Sequence, residues 1–247
     1  MKILGLDSSG LVASAAIVED DILLAEYTTN YKKTHSQTLL PMLEELRGMI
    51  ELDMTSIDAI AIAAGPGSFT GLRIGAATAK GLGLALGKPL VEVPTLEGLA
   101  YNLCGCTQLV CPIMDARRNQ VYTGIYKFIK EGNGYALRIV ENQCAVDISE
   151  IIRKLNGLNR EVVFLGDGVP VYKKVIEEQL TIPYTLAAAN NNRQRAASVA
   201  ALGAVYYAAG KTVTAAEHQP EYLRKSQAER EQEEKERHDR DQRIAGC

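Results

Sequence analysis

The sequence predicts an α/β fold in which two similar halves face one another. Three observations support this: a repeated order of apolar segments, turn signals between them, and a helix rich in glycine and alanine directly after a buried strand. With 247 residues, 47% of them hydrophobic, the chain is long enough for two such units, each with its own core. The boundary between the halves is predicted within residues 99–107.

The two halves follow the same predicted order: three antiparallel strands, then alternating helices and strands. In the first half, strands are predicted at 2–7, 12–18, 22–27 and 57–64, with helices at 36–50 and 71–87. In the second half, strands are predicted at 108–114, 120–128, 135–142 and 162–165, with helices at 149–155, 169–180 and 195–209. We therefore predict an N-terminal subdomain over 1–103, a C-terminal subdomain over 104–214 and a charged C-terminal tail over 215–247.

The helix at 71–87 is the most informative segment. Gly75, Gly81 and Gly83 lie inside it, and each costs about 0.8–1 kcal/mol relative to alanine. Such a helix is kept where something approaches its backbone closely. Gly75, Ala79 and Gly83 recur every four residues, which predicts a groove for a partner helix. The alternative is that these small residues face the protein's own sheet.

The loop before this helix, GPGSFTG at residues 65–71, has two interpretations. Free N–H groups and the helix dipole favour an anion such as phosphate at a helix start. However, the loop lacks the Gly-Lys-Ser/Thr ending of a P-loop and the GxGxxG spacing. A tight strand-to-helix turn with close packing is therefore the favoured interpretation.

The helix at 36–50 is unusually apolar. Leu39, Leu43, Leu46 and Ile50 form a stripe at helical spacing that is predicted to face the sheet. Further apolar residues extend beyond this stripe, which indicates either a wider core or a contact surface. Pro41 is tolerated best near a first turn, so we expect the helix to begin late or to be kinked.

Charge and composition limit the functional classes. The chain has 27 basic and 30 acidic residues, and residues 229–243 hold five of the basic and seven of the acidic ones. The rest of the chain is therefore nearly neutral and offers no basic face to nucleic acid. The segment 229–243 is predicted to be a solvated helix with i,i+4 ion pairs. No run approaches the ~20 apolar residues of a membrane span, and no signal peptide fits the start. The five cysteines match no zinc pattern, so we expect a cytoplasmic protein with reduced thiols and no membrane association.

Five segments of the chain form a specific combination of motifs: LGLDSSG at 4–10, HSQTLLP at 35–41, AAGPGSFTGLRIG at 63–75, MDARRNQVY at 114–122 and PEYLRKSQAER at 220–230. Together they resemble the motifs of the TsaB (YeaZ) family of tRNA threonylcarbamoyladenosine biosynthesis proteins. This glycoprotease-like family belongs to the actin/hexokinase/Hsp70 (ASKHA) superfamily. The resemblance therefore implies two actin-like, ribonuclease H-like subdomains, each a mixed sheet with helices.

The resemblance also implies a function. Members act as non-catalytic scaffolds in the bacterial complex that forms N6-threonylcarbamoyladenosine at position 37 of tRNAs reading ANN codons. The expected partners are a second copy of the chain, the catalytic subunit TsaD and the ATPase TsaE, with tRNA bound only through the complex. No cofactor of its own is expected, and binding of ATP or ADP at the complex interface stays open.

The resemblance assigns residues to two places. The dimer and partner interface is expected to contain His35, Gln37, Leu40, Met42, Phe69, Thr70, Leu72, Arg73, Gly75, Ala76, Ala79 and Gly83. The cleft, or a position near a nucleotide, is expected to contain Asp7, Ser8, Ser9, Arg117 and Arg118. For Asp7 and Ser8 the alternative is that they cap a turn, and for the two arginines it is a solvated turn with a local ion pair.

His35 is the candidate metal ligand of the N-terminal half. The paralogous catalytic subunit holds its metal with two histidines four residues apart on one helix, whereas here Leu39 occupies the second position. Thr34 and Gln37 fit a capping box, which explains the local sequence without a metal. We therefore predict no metal site and no catalytic residues. The alternative is a stand-alone ATP-dependent or metallopeptidase-type enzyme of the same fold. The absence of the second histidine and of a nucleotide-binding motif counts against this alternative.

Overall fold

The computed structural model describes residues 1–31 and 34–224, which form two five-stranded sheets with six α-helices. The first sheet contains β1 (Lys2–Asp7), β2 (Ala13–Glu19), β3 (Ile22–Thr29), β4 (Ala59–Gly65) and β5 (Leu90–Pro94). The second contains β6 (Leu109–Asp115), β7 (Gln120–Glu131), β8 (Gly134–Asp147), β9 (Val162–Leu165) and β10 (Tyr184–Leu186). The helices are α1 (His35–Met49), α2 (Phe69–Leu86), α3 (Thr95–Tyr101), α4 (Ile148–Leu158), α5 (Gly168–Gln179) and α6 (Ala196–Ala208).

The two sheets have the same topology. In the first, the order is β3-β2-β1-β4-β5, with β1 antiparallel to β2 and parallel to β4. In the second, the order is β10-β9-β6-β7-β8, with β6 antiparallel to β7 and parallel to β9. Each half thus runs through three antiparallel strands, a helix, a parallel strand and a second helix, which confirms the predicted actin-like α/β fold.

The helices cover both faces of each sheet, and two of them are exchanged between the halves. α1 and α2 pack on one face of the first sheet, and α4 and α5 pack on one face of the second. The remaining face of the first sheet is covered by α6, through Val199, Ala200 and Leu202. The remaining face of the second sheet is covered by α3, through Leu96, Leu99 and Ala100. A boundary near residue 103 therefore separates the strands, but the segment 104–214 includes a helix that completes the first unit.

The chain after α6 returns across the first unit, and we call residues 213–224 the C-terminal strap. Val213 and Leu90 exchange two backbone hydrogen bonds of 2.9 Å, so the strap starts as a short pairing with β5. Ala215 and His218 are buried, and the N–H of Glu221 donates to the carbonyl of Ala64 at 2.7 Å. The prediction of a separate tail from residue 215 is therefore wrong for 215–224. The predicted charged helix at 229–243 lies outside the described residues.

None of the helices in residues 1–31 and 34–224 combines the length and the apolar character that a membrane crossing requires. The longest, α2, has 18 residues, but a large part of it faces solvent.

Candidate partner-binding surface and inter-domain cleft

Helix α1 begins at His35 without the predicted capping box. The Thr34 side chain makes no capping hydrogen bond; instead the N–H of Gln37 donates to the Thr34 carbonyl at 2.9 Å. Nε2 of His35 lies 2.9 Å from the carbonyl oxygen of Gly10, which ties the helix start to the turn after β1. The helix continues through Pro41 to Met49 rather than beginning late, and the exposed proline removes only one backbone donor from the helix.

The two faces of α1 differ sharply in burial. Leu39, Leu43 and Leu46 pack on the first sheet, as the helical spacing predicts. Met42 is also buried, at 5% exposure, so it belongs to the core rather than to a contact surface. Leu40 and Met49, in contrast, are 53% and 78% exposed. Because nine residues separate them in a helix of 3.6 residues per turn, Leu40 and Met49 lie on opposite flanks of α1. Leu40, on the flank that faces α2, is thus a large apolar side chain left largely uncovered by the described chain.

Helix α2 starts at Ser68, whose side chain accepts from the N–H of Gly71, and ends at Gly87 in the left-handed region at φ 64°. The predicted groove on this helix faces the protein's own sheet. A Cβ on Gly75 would lie 2.5 Å from Oγ of Ser8, and one on Gly83 would lie 2.6 Å from Cδ1 of Leu90. Burial in the monomer leaves a partner no access to five residues that we assign to the interface, so their assignment is wrong: Leu72, Gly75, Ala76, Ala79 and Gly83.

A second stripe of α2 faces solvent. It follows the three- and four-residue spacing of one helix face and consists of Thr70, Arg73, Ala77, Gly81 and Leu84. A Cβ on Gly81 would meet no atom within 4 Å, and Leu84 is 70% exposed. Small residues in the middle of an exposed helix face allow another backbone to approach closely. The sequence identified small-residue spacing on this helix but assigned it to the wrong face.

Together, the exposed faces of these helices form what we call the two-helix surface. It consists of Gln37, Leu40 and Pro41 of α1 and of Thr70, Arg73, Ala77, Gly81 and Leu84 of α2. A mainly apolar hollow of about 530 Å³ lies between the helices; it is lined by Leu40, Pro41, Leu43, Glu44, Arg47, Met54 and Leu82. Exposed apolar side chains beside a hollow are typical of a protein-binding surface.

The glycine-rich loop before α2 is held by close packing. A Cβ on Gly65 would clash with the carbonyl of Glu221. A Cβ on Gly67 would clash with the carbonyl of Ser9, and a Cβ on Gly71 would clash with the carbonyl of Ser8. The N–H of Ser68 is already bonded to the Ser9 carbonyl, at 2.7 Å. The contacts of these glycines therefore correspond to the tight, closely packed turn rather than to a phosphate cradle.

Asp7 and Ser8 have internal partners instead of facing the cleft. The Asp7 carboxylate is 1% exposed and accepts from the N–H and the hydroxyl of Ser9, at 2.9 and 2.7 Å. Burial raises the pKa of Asp7 to about 6, against the lowering effect of these hydrogen bonds. The hydroxyl of Ser8 donates to the Gly71 carbonyl at 2.8 Å. Ser8 therefore joins the β1–β2 turn to α2, whereas Asp7 stabilises the turn itself. The placement of these two residues in the cleft is wrong.

A cleft of about 440 Å³ separates the two units. Ser9 and Arg117 line it together with Gly10, Leu11, Gly67, Ser68, Met114, Asp115, Ala116, Tyr122, Asp167 and Val171. Arg118 instead lines a neighbouring hollow beside α5. Arg117, Arg118 and Asn119 have successive positive φ angles of 65°, 56° and 58°, which gives the turn between β6 and β7 an unusual shape.

The charges of this cleft do not suit a polyphosphate. Arg117 is the one basic side chain among the described lining residues, and its Nε lies 3.9 Å from a carboxylate oxygen of Asp115. Asp167 adds a second carboxyl, whose pKa is raised by burial. An anionic ligand would meet two carboxyls and one cation that already has a partner.

Metal-binding geometry is also absent from the described part of the chain. No group of three or more His, Cys, Asp and Glu side chains in residues 1–31 and 34–224 is arranged to hold a metal ion. The position four residues after His35 is Leu39, whose side chain is 1% exposed and lies in the core of the first unit.

The C-terminal strap adds residues to the two-helix surface that we did not predict. Tyr222 places its ring 4.8 Å from that of Phe69, and the guanidinium carbon of Arg73 lies 4.0 Å from the centre of the Phe69 ring. Nζ of Lys80 donates to the carbonyl of His218 at 2.9 Å. The motif at 220–230 was the available signal, but sequence alone does not show where an irregular segment packs.

Comparison with known proteins identifies relatives along nearly the whole chain. The family model described as "TsaD: tRNA N6-adenosine threonylcarbamoyltransferase" matches residues 22–232. The tRNA threonylcarbamoyladenosine biosynthesis protein TsaB of Bacillus subtilis is 35% identical over 93% of this chain and 96% of its own length. The protein of the same name from Escherichia coli is 30% identical over 92% and 96%. The solved structure of YeaZ from Pseudomonas aeruginosa superposes with a TM-score of 0.74 at 27% identity, covering 90% of this chain and 100% of that one.

Proposed function

The chain belongs to the TsaB family, and from this premise we propose that it takes part in forming N6-threonylcarbamoyladenosine on tRNA. Its role in this proposal is that of a non-catalytic subunit, which binds a TsaD-type catalytic subunit and a TsaE-type ATPase. In the absence of these partners it forms a homodimer. The modified nucleoside would be adenosine 37 of tRNAs that read ANN codons.

The two-helix surface is the observation that carries this proposal. Leu40 and Leu84 are 53% and 70% exposed, whereas most large apolar residues of the described chain lie in four core clusters. Ala77 and Gly81 give the centre of this surface a low relief, which lets a partner helix approach. A single surface of this kind suits both a two-fold homodimer and a related subunit of similar shape.

The properties of the cleft favour a scaffold over a stand-alone enzyme. The buried Asp7 hydrogen-bonds to the neighbouring Ser9 instead of facing the cleft. Among its described lining residues, the cleft presents Asp115 and Asp167 with Arg117 as the one cation. Because the body of the chain is nearly neutral, we expect the isolated protein to have little affinity for tRNA, whose binding needs clustered Lys and Arg.

The interface is tested by an arginine at Gly81 with a matched control at Gly157. Both glycines lie in helices with no atom within 4 Å of an added Cβ, but Gly157 belongs to α4 in the second unit. We expect Gly81→Arg to remain folded by circular dichroism and to become a monomer in light scattering. It should also bind the TsaD-type subunit of the same organism about 5- to 150-fold more weakly, because overpacking costs roughly 1–3 kcal/mol. Gly157→Arg should behave as wild type.

Two outcomes would count against this proposal. If Gly81→Arg stays dimeric and still binds the TsaD-type subunit, the interface lies elsewhere on the chain. The pathway is tested separately by depleting the protein and measuring threonylcarbamoyladenosine in total tRNA by nucleoside mass spectrometry. We expect loss of the modified nucleoside and recovery with the wild-type gene; an unchanged level would remove the proposed role altogether.

A further inference from the structure

The Phe69 ring contacts both Arg73 and Tyr222 at the start of α2, and we call these three side chains the stack. The Arg73 guanidinium lies over one aromatic ring, and that ring in turn contacts the ring of Tyr222 from the strap. Arg73 is exposed, Phe69 is partly exposed and Tyr222 is 39% exposed. The stack therefore stands at the edge of the two-helix surface and is built from two segments that are far apart in the sequence.

Arg73 has no anionic partner in the described part of the chain. Its guanidinium makes the contact with Phe69 but neither a hydrogen bond nor an ion pair within residues 1–31 and 34–224. Helix α2 contains two cations and no acidic residue, and the other cation, Lys80, donates to the His218 carbonyl. As far as the described residues show, the exposed face of α2 thus presents one positive charge without an ionic partner, which is complementary to an acidic partner protein.

The geometry points to a carboxylate as the group that Arg73 binds. Stacking on an aromatic ring occupies the flat face of a guanidinium and leaves its N–H edge free, and this edge matches the two oxygens of a carboxylate. A phosphate backbone would instead require clustered cations, whereas Ala77, Gly81 and Leu84 follow Arg73 along the same helix face. An apolar surface with an arginine at its edge is typical of a protein interface.

The strap holds this arginine in place. Tyr222 is preceded by Glu221, whose N–H donates to the Ala64 carbonyl at 2.7 Å. It is followed two residues later by Arg224, whose guanidinium donates to the carbonyl of Ala116 in the second unit. These contacts fix the Tyr222 ring beside Phe69, so the platform under Arg73 exists before a partner arrives. Preorganisation of this kind reduces the entropy lost on binding.

We propose that Arg73, stacked on Phe69 and supported by Tyr222 of the strap, pairs with an aspartate or glutamate of the protein that docks on the two-helix surface. This inference rests on the proposed function, since it takes the TsaD-type subunit as that protein. It extends the surface beyond α1 and α2, because the strap becomes part of the interface. It also assigns a specific role to the segment around residue 222.

The test measures the affinity of the full-length chain for the TsaD-type subunit of the same organism by biolayer interferometry. We expect Arg73→Ala to weaken binding by roughly 10- to 100-fold, because it removes hydrogen bonds between two charged groups. Arg73→Lys should recover part of this loss, because it restores charge without the flat stacking edge. The matched control is Arg153→Ala, which removes an exposed arginine from α4.

A double-mutant cycle tests the part played by the strap. Tyr222→Leu should weaken binding by about 2- to 10-fold in the wild type, the range of one aromatic pair. It should have no further effect with Arg73→Ala present. Equal effects in both backgrounds would show that Tyr222 contacts the partner directly and not through Arg73. Melting temperatures of all variants show whether each remains folded.

The remaining outcomes separate the two proposals. If the wild type fails to bind the TsaD-type subunit, the proposed function is refuted. If the wild type binds and Arg73→Ala binds equally well, only the role of Arg73 is refuted. If Arg73→Ala leaves subunit affinity unchanged but reduces tRNA binding by the assembled complex, the anion is a phosphate rather than a carboxylate, and the inference is overturned.

Discussion

Replacing Gly75 and Gly81 separately by alanine tests which side of α2 faces the core. Both substitutions improve the helix by about 0.5–1 kcal/mol, because each removes a glycine from a helix interior. This gain is common to the two variants and cancels when they are compared. The difference between them therefore isolates the packing cost of one added Cβ.

The packing cost follows from the neighbours of each position. At Gly75 the new Cβ would lie 2.5 Å from Oγ of Ser8, and this hydroxyl is buried and bonded to the Gly71 carbonyl. Moving it breaks a buried hydrogen bond, at a cost of about 1–3 kcal/mol. At Gly81 nothing lies within 4 Å, so the added Cβ meets no obstacle.

We therefore expect Gly81→Ala to melt above the wild type and Gly75→Ala to melt below Gly81→Ala. With roughly 2–4 °C per kcal/mol for a chain of this size, the two variants should differ by about 2–12 °C in differential scanning calorimetry. Gly157→Ala in α4 serves as the reference for an exposed helical glycine. Equal melting temperatures for the first two variants, or a more stable Gly75→Ala, would refute the assignment of the inner and outer faces.

Two further predictions concern Asp7 and the cleft. Because burial raises the pKa of Asp7 from 3.8 to about 6, the folded chain holds this proton more tightly than the unfolded chain, and wild-type stability falls as the pH rises from about 4 to 6. Asp7→Asn should therefore have a free energy of unfolding up to about 3 kcal/mol above that of the wild type at pH 7, measured by urea denaturation, and no advantage at pH 4. A stability advantage that is independent of pH would contradict the role of the Asp7 charge. For the cleft, calorimetric titration of the isolated chain with ATP should show no micromolar binding, because Asp115 and Asp167 outnumber the cation Arg117; a micromolar Kd would refute the electrostatic argument.

Hydrophobic patterning was enough to predict most of the fold. The strand predicted at 162–165 matches β9, and the helix predicted at 169–180 lies one residue from α5. Both are bounded by clear changes in polarity. In contrast, β5, α3 and β10 were missed. β5 and α3 follow each other without an intervening turn, and β10 has three residues, so neither turn signals nor periodicity marks them.

The errors at the candidate site have a different origin. Spacing identifies which residues of a helix share a face, but it does not show which face meets the sheet. On α2, the stripe through Gly75 and Ala79 and the stripe through Ala77 and Gly81 consist of equally small residues. Only the contacts with Ser8 and Leu90 decide between them. The strap was missed for a related reason, because its anchors, such as the contact between Glu221 and Ala64, join residues far apart in the sequence.

The composition of α2 follows from constraints on both of its sides. On the inner side, Gly71 and Gly75 let the helix backbone approach the Ser8 turn, where any side chain would collide with a carbonyl or a bonded hydroxyl. On the outer side, Ala77 and Gly81 are exposed, and a Cβ on Gly81 would meet no atom within 4 Å. A larger residue would therefore fit at Gly81 in the monomer. An exposed helical glycine costs about 0.8–1 kcal/mol relative to alanine, so the monomer alone gives no reason for Gly81. The fold accounts for the inner glycines, and for the outer one the partner that we propose, which needs a low surface, would supply the reason.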